Sequence, residues 1–446
     1  MSLTRNIVTT FAARVALLGL AFVSSIMLAR LLGPEGRGTI ALVFLLPQLA
    51  NTLGRLGFDH ANAVFAGLDP TGRRALVWQS VAIAGVAGGA MAIAGAGYVA
   101  LGAPGFPALV RAPLPLYLLA LSLVPLGLVN EYWKAIVRGM NCIFILSLLE
   151  VATAVVALVL LGVLVGGLGL GVWGAVCVNS AIVAGTLVVL VPLLRGAGPW
   201  GKPSVDRSLA IQTAAFALPA YGGTVLAYLN YRIDEFFIAA WLAPVQLGFY
   251  VMAVAMAERL WTLPGAVATA LLPHLTSSRD RDPALSGFIA RHTAIWTGAA
   301  ACLIFVFADP LIRLLYSPAF ADVAVPLRWL LPGVVTLGVG KVVIAELLAR
   351  KKVRQTAYAS GIAAVVNIAG NVILVPHMGI SGAALASTIS YSLLSVILIR
   401  YYLRETGVSW TVLVPSRDDL ALYGRLLCRW TKLRPAERRA PVGSRP

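Results

Sequence analysis

The chain has 446 residues, of which 59% are hydrophobic and only 12% charged, and its mean hydropathy is +0.87. A soluble domain carries about 25% charged residues, so a water-soluble globular fold is excluded, and the lack of alternating ten-residue segments excludes a membrane β-barrel. The net charge of +17 would suit nucleic acid as a partner, but the placement of the charges accounts for it otherwise.

In chain order, Arg5 and the apolar run from Ile7 imitate a secretory signal. The run is longer than a signal core and has a counterpart in the second half, so it reads as a first membrane span. Further spans are expected over 38–66, 75–101, 114–137, 143–166 and 171–194, after a first at 7–32. A second set follows over 209–242, 247–275, 284–308, 325–349, 355–376 and 379–403. Each is long enough to cross about 30 Å of hydrocarbon as a helix. The glycines Gly85, Gly88 and Gly89 in the third span read as close helix packing. Cys142, Cys177, Cys302 and Cys428 stand singly, with no pattern for a disulfide framework or a metal.

The loops alternate in charge. Arg73, Arg74, Lys134, Arg138, Arg195, Lys202, Arg207, Arg279, Arg281, Arg291, Arg350, Lys351, Lys352 and Arg354 fall on one side, with Arg5 and the tail. Only Arg30, Arg37, Arg111, Arg313 and Arg328 fall on the other. The positive-inside rule then places both termini in the cytoplasm and leaves no need for nucleic acid. In the tail, Ser416 and Asp419 have capping-box spacing, and Leu420, Tyr423, Leu427 and Trp430 follow at helical intervals. That segment is expected either to lie as a helix on the anionic leaflet, against membrane lipids, or to remain a solvated basic tail.

The two halves correspond. At an offset near 210, Leu32, Pro34 and Gly38 fall on Leu242, Pro244 and Gly248, and Arg138 answers Arg350. Six helices per half give both halves the same orientation, the arrangement in which transporters hold substrate between two rocking lobes. The expected fold class is therefore all-α: a polytopic membrane protein of about 12 transmembrane helices in two six-helix pseudo-repeated lobes around a central cavity. The lobes are placed at 1–204 and 205–405, and the basic cytoplasmic tail at 406–446.

Four stretches carry a family resemblance: LARLLGPEGRG (28–38), YRIDEFFIAAWLAPVQLGFYVMAVAM (231–256), ADPLIRLLYSPAFADVAVPLRWL (308–330) and NVILVPHMGISGAALAS (371–387). They resemble the polysaccharide (lipid-linked oligosaccharide) flippases of the multidrug/oligosaccharidyl-lipid/polysaccharide exporter superfamily, and the resemblance covers nearly all of residues 1–405. It implies export of a polyprenyl-diphosphate-linked oligosaccharide across the plasma membrane for surface polysaccharide assembly, with polysaccharide assembly proteins as further partners. The lipid II flippases of that superfamily usually carry two further helices and several arginines in the first span; here only Arg14 is present there.

Intramembrane ionisable groups usually face a cavity or a partner. Arg14, Arg55, Arg232, Arg259 and Lys341 are the expected substrate-binding residues, because guanidinium forks and an ammonium suit a diphosphate. Asp59, Asp234 and Glu258 are the expected ion-coupling residues, for a proton or sodium. Local pairing competes with those roles: Arg55 and Asp59 are spaced i,i+4, and Arg232 and Glu235 i,i+3. Arg14, Arg259 and Lys341 lack such a neighbour. Asn367 and Asn371 read as interhelical hydrogen-bonding groups. A cation-coupled multidrug antiporter of the same fold is the nearest alternative. A membrane glycan polymerase or ligase is a further one, for which the sequence offers no large external loop, catalytic nucleophile, cofactor or metal signature.

Overall fold

In the computed structural model, the described residues are 3–196, 202, 204, 206–277, 283–416, 419 and 423. They form helical rods in the expected order, without a strand among them. The helix Leu3–Gly54 is kinked at Gly33 (φ 66°, ψ −176°), a backbone conformation open only to glycine. It therefore contains α1 (3–32) and the first part of α2 (34–54), which resumes at Phe58–Leu68. Helix α3 runs Arg73–Ile83, through a π turn Ala84–Gly88, to Gly89–Ala100; α4 is Leu114–Gly139, α5 Ile143–Leu161 with a π turn Gly162–Gly167, and α6 Gly171–Gly196. The second set is α7 (Arg207–Trp241), α8 (Pro244–Glu258, a 3-10 turn Arg259–Trp261, then Thr262–Ser277), α9 (Pro283–Leu315), α10 (Ala324–Ala349), α11 (Val353–Met378) and α12 (Ile380–Thr406). Length and hydropathy qualify nine continuous helices among the described residues as spans, with the bent α7 as a tenth. The first of the nine contains both α1 and part of α2, and α8 is not among them because its 3-10 turn divides it into pieces of 15 and 16 residues. This is a multi-pass membrane protein.

The turn of the first hairpin is Gly33, and Pro34 opens α2; in the second hairpin Pro244 opens α8. Proline suits a helix start, where its missing N–H is no loss. Gly38 and Gly248 each follow their proline by four residues, one turn on and on the same face. Those faces meet each other. A Cβ added to Gly38 would lie 2.0 Å from the Pro244 carbonyl oxygen, and one added to Gly248 would lie 3.0 Å from the Pro34 carbonyl oxygen. The contact is reciprocal, joining equivalent points of the two repeats at what we call the hairpin face, opposite the terminal face at which α1 begins and α12 ends. Beside it, Arg30 donates to the carbonyls of Leu315 (2.8 Å) and Leu314 (2.5 Å), placing a cation on the C-terminus of α9.

Helix α7 bends by 42° at Pro219 and divides its partners. Before the bend, Gln79 of α3 donates to Thr213 (2.7 Å); just beyond it Tyr221 donates to the Leu53 carbonyl of α2 (2.5 Å). Further on, Asn367 of α11 donates to the Asn230 carbonyl (2.8 Å), and Ser390 of α12 donates to the Asn230 side chain (2.5 Å). Asn367 thus joins two helices as expected, while Asn371 bonds back to Asn367. Of the three glycines in α3, Gly88 approaches the α4 backbone, where an added Cβ would lie 2.8 Å from Pro125 Cα; Gly85 and Gly89 face open space.

The start of the tail docks on α9. Asp419 accepts from the Ser416 backbone (2.8 Å) and hydroxyl (3.1 Å), as the capping spacing implies, and pairs with Arg291 (2.9 Å). Those bonds, the Ser416 backbone N–H foremost, hold the Asp419 carboxyl below its usual range. Tyr423 meets the His292 ring. Leu420, Leu427 and Trp430 lie outside the described residues.

The seam yields a prediction. Gly38→Ala or Gly248→Ala places a methyl against backbone that cannot rotate away, an overpacking worth about 1–3 kcal/mol. In a background without native cysteines, Glu35→Cys should be labelled by an impermeant maleimide several-fold faster when either alanine is present. Unchanged labelling would show that the glycines do not hold this face shut.

Candidate functional site

Each repeat breaks its second helix at an arginine. In α2 the break spans Gly54 to Gly57, with Leu56 (φ 47°) and Gly57 (φ 77°) in the left-handed region. The Ala217 carbonyl of α7 approaches Gly57 so closely that an added Cβ would lie 2.6 Å from it. Tyr132 donates to the carbonyls of Gly54 (2.9 Å) and Arg55 (3.0 Å), satisfying backbone groups that the break frees. The break also removes the expected Arg55–Asp59 helical pair. Arg55 instead reaches Glu131 of α4 (3.6 Å), which Lys134 also approaches (3.4 Å). Asp59 is half-buried and has no ion pair among the described residues.

In α8 the break is the 3-10 turn Arg259–Trp261. Just before it, Glu258 pairs with Arg232 of α7 (2.8 Å), and the other nitrogen of that fork holds Glu235 (3.0 Å). Arg232 and Glu258 are thus paired across the second hairpin, and both are occupied. Asp234 turns the other way and is 1% exposed. It accepts from the Tyr250 hydroxyl, from Ser387 (2.9 Å) and, on the other oxygen, from the Glu235 backbone (2.9 Å).

Arg259 and Lys341 make no ion pair among the described residues and rest on aromatic rings. Arg259 lies over the Phe22 ring of α1 at 4.9 Å, and its Nη1 is buried without a partner. Lys341 of α10 lies over Trp261 (4.6 Å) and Tyr231 (5.5 Å). Those rings pack with Tyr391 at centroid separations of 5.5 and 5.7 Å. Cation–π contact stabilises a desolvated cation by about 2 kcal/mol but leaves its hydrogen-bond donors free for an anion. Arg14 is exposed on α1 and makes no ion pair among the described residues.

Two cavities run along α2, α4 and α6. One, of about 500 Å³, includes Arg37, Gln48, Asn51 and Asn179; the other, of about 360 Å³, shares Gln48 and Asn51 and continues to Arg55, Glu131 and Lys134. Together they trace a mainly apolar groove, with polar side chains set along it, from the hairpin face toward the terminal face.

A family model described as "Polysaccharide biosynthesis protein" matches residues 27–326. The chain belongs to that family. No curated protein sequence matches it. Among solved structures it superposes on "Lipid II flippase MurJ, inward closed conformation" with a TM-score of 0.70 at 14% identity, over 90% of each chain. An inward-facing multidrug resistance MATE family transporter of the MOP superfamily gives 0.67 at 14% identity, over 87% of this chain and 94% of that one. An outward-facing one gives 0.60 at 16% identity, over 90% and 95%. The chain shares the fold of these solved structures.

In this family member the sequence reading missed Arg37 and the aromatic supports. Arg37 counts as a loop charge if the turn is put near residue 35. Pro34, as a helix-opening proline, is the signal that places Arg37 inside α2 instead. The aromatics Phe22, Tyr231 and Trp261 carry no individual sequence signal, because rings are ordinary in apolar spans.

The pairing pattern separates stability from binding. Arg232→Ala leaves Glu235 and Glu258 without their cation, a loss on the order of 3–5 kcal/mol for buried pairs. It should lower Tm and membrane abundance sharply, whereas Lys341→Ala should leave both near wild type. Equal loss of folded protein in the two variants would contradict this division.

Proposed function

We propose that this protein moves a polyprenyl-diphosphate-linked oligosaccharide across the plasma membrane for surface polysaccharide assembly. Movement is by alternating access between lobes 1–204 and 205–405, with both termini cytoplasmic and the tail 406–446 outside the cycle. The observation that carries this reading is the pair Arg259 and Lys341: half-buried, ring-backed cations that make no ion pair among the described residues. Unpaired intramembrane cations suit an anionic ligand, and guanidinium donors suit phosphate oxygens. Arg14 and Arg55 serve the same head group nearer the cytoplasm. Arg232 acts on it only by exchanging its hold on Glu258. The closed hairpin face then corresponds to a cleft that loads from the cytoplasmic side.

Asp234 is the best-built coupling carboxylate, since its hydroxyl and backbone donors stand where a proton or sodium would compete. Glu258 and Asp59 are the secondary candidates. The multidrug antiporter reading draws on the same carboxylates and on the Tyr231–Trp261–Tyr391 cluster, which a lipophilic cation would favour. Lys341 already occupies those ring faces, and this weighs toward the anion.

Two tests follow. Depletion of the protein should trap lipid-linked oligosaccharide on the inner leaflet. In vesicles, Arg259→Ala should reduce flipping per folded protein about ten- to hundredfold, the loss of one charge-assisted contact, with Arg259→Lys retaining part. Wild-type vesicles that expel cationic drugs and leave the lipid-linked sugar in place would establish the antiporter instead.

Topology is checked separately. Reporters after Arg74, Arg207 and Lys352 should lie in the cytoplasm, and those near Gly36, Gly105 and Ser317 outside. An external signal at Arg207 would break the six-plus-six arrangement.

A further inference from the structure

We propose that the groove along α2, α4 and α6 is the seat of the sugar rings, whose hydroxyls its side-chain amides recognise, while Arg259 and Lys341 keep the diphosphate. The inference rests on the proposed function and adds which part of the substrate each repeat takes.

The cavities of about 500 and 360 Å³ are continuous, because Gln48, Asn51, Gly127 and Val183 line both. Arg37 stands in the larger and Arg55 in the smaller, so the groove extends for about 27 Å along α2. Gly127 keeps its middle open: an added Cβ would lie 3.0 Å from the Asn51 Oδ1 atom. Amides gather around that point, Gln48 and Asn51 from α2, Asn130 from α4 and Asn179 from α6. Gln48 and Asn179 are exposed within spanning helices, and neither side chain is hydrogen-bonded among the described residues. Such groups belong to a cavity and not to lipid. Asn130 is 6% exposed; its Nδ2 donates to the Val183 carbonyl at 3.4 Å, and its Oδ1 is buried without a partner. The Nε of Arg55 is likewise buried and unpartnered. An amide offers donors and an acceptor side by side, which matches a sugar hydroxyl, itself both donor and acceptor. A lipophilic drug would leave these amides unsatisfied. Phe44 in the larger cavity and Tyr228 in the smaller supply ring faces for the apolar C–H face of a sugar. Mainly apolar walls with a few placed polar groups are the usual make-up of a small-molecule site.

The position divides the substrate between the repeats. The amides all come from the first repeat, and the second adds Val251 of α8 to the larger cavity and Tyr228 of α7 to the smaller. Leu28 of α1 lines the larger cavity, and Phe22, whose ring Arg259 covers, lies about 9 Å earlier along the same helix. The groove and Arg259 are therefore close enough for one molecule to span both, with its glycan against the first repeat and its diphosphate against the second.

The test uses the purified full-length protein in detergent and compares the gain in Tm from two probes. One is inorganic pyrophosphate. The other is the free oligosaccharide released by mild acid, which cleaves the sugar–phosphate bond, from the lipid-linked material that accumulates when the protein is depleted. Wild type should respond to both. Gly127→Val, whose methyls fill the join of the two cavities, should lose the oligosaccharide gain and keep the pyrophosphate gain, and Arg259→Ala should do the reverse. Asn130→Leu should bind the oligosaccharide about three- to tenfold more weakly, the loss of one hydrogen bond. Its empty Tm should equal or exceed wild type, because an unpaired buried acceptor is gone. An unchanged oligosaccharide gain in Gly127→Val, or a wild type that responds to pyrophosphate alone, overturns the glycan seat and leaves the proposed function standing. Cells that accumulate no lipid-linked oligosaccharide overturn both. Should Gly127→Val fail to fold, Asn130→Leu decides, since wild-type affinity for the oligosaccharide in that variant would refute the amide groove as its seat.

Discussion

Two glycines with no room for a side chain fix how the repeats meet. At Gly38 and Gly248 the backbones approach closely enough that each position excludes a Cβ. Helix association in a membrane has little hydrophobic drive, so it depends on such close packing of small residues. Because Gly38 and Gly248 occupy equivalent places, one contact made twice closes the hairpin face. The neighbouring geometry follows from it. Phe22 of α1 comes to lie over Arg259 of α8, Arg37 enters the cavity below the seam, and Arg30 reaches the carboxyl end of α9.

Below the seam, charges sort by whether they have a counter-charge. Arg232 spends both arms of its fork on Glu235 and Glu258, and Asp234 takes donors from Tyr250, Ser387 and the backbone. These groups are satisfied by the protein itself. Arg259 and Lys341 make no ion pair among the described residues and rest on ring faces, which lower the cost of a desolvated cation without using its N–H donors. A protein interior tolerates such groups where something else completes them. The paired cluster therefore reads as the frame of the cleft and the ring-backed cations as its open side. Both sets sit beside the helix break at Arg259–Trp261, where a regular helix would have kept Trp261 and Arg259 in fixed angular register.

The helix order, the two hairpins, the Asn367 contact and the lack of a local partner for Arg259 were all legible in the sequence, because apolar length, proline placement and i,i+4 spacing are local properties. Arg37 was misplaced by a two-residue error in the turn, enough to move a charge from loop to cavity. The break at 54–57 could not be read locally. It depends on Ala217 approaching Gly57 and on Tyr132 taking up two carbonyls, contacts made across long stretches of chain. The local Arg55–Asp59 pairing that the i,i+4 spacing allows is not made for that reason: spacing presumes an unbroken helix. Ser416 and Asp419 behaved as their spacing implied, yet docking onto Arg291 was a tertiary matter.

Helix α7 constrains how two such lobes can move. Its opening half and the residue just past its bend are hydrogen-bonded to α3 and α2 through Thr213 and Tyr221, while its closing half is bonded to α11 and α12 through Asn230 and Asp234. A rigid, straight α7 would tie the repeats together on both faces at once and prevent rocking. Pro219 removes one backbone hydrogen bond and the helix bends there by 42°. Relative motion of the lobes must therefore either change that bend or break the two bonds that Thr213 and Tyr221 make. The buried bonds of Asn230 and Asp234 are the harder to give up, being shielded from water. The closing half of α7 thus travels with the second repeat, and with it Arg232, Glu235 and the Glu258 they hold. In the proposed alternating access, the terminal face opens only when the opening half of α7 yields, and the bend at Pro219 takes up the motion of the two lobes.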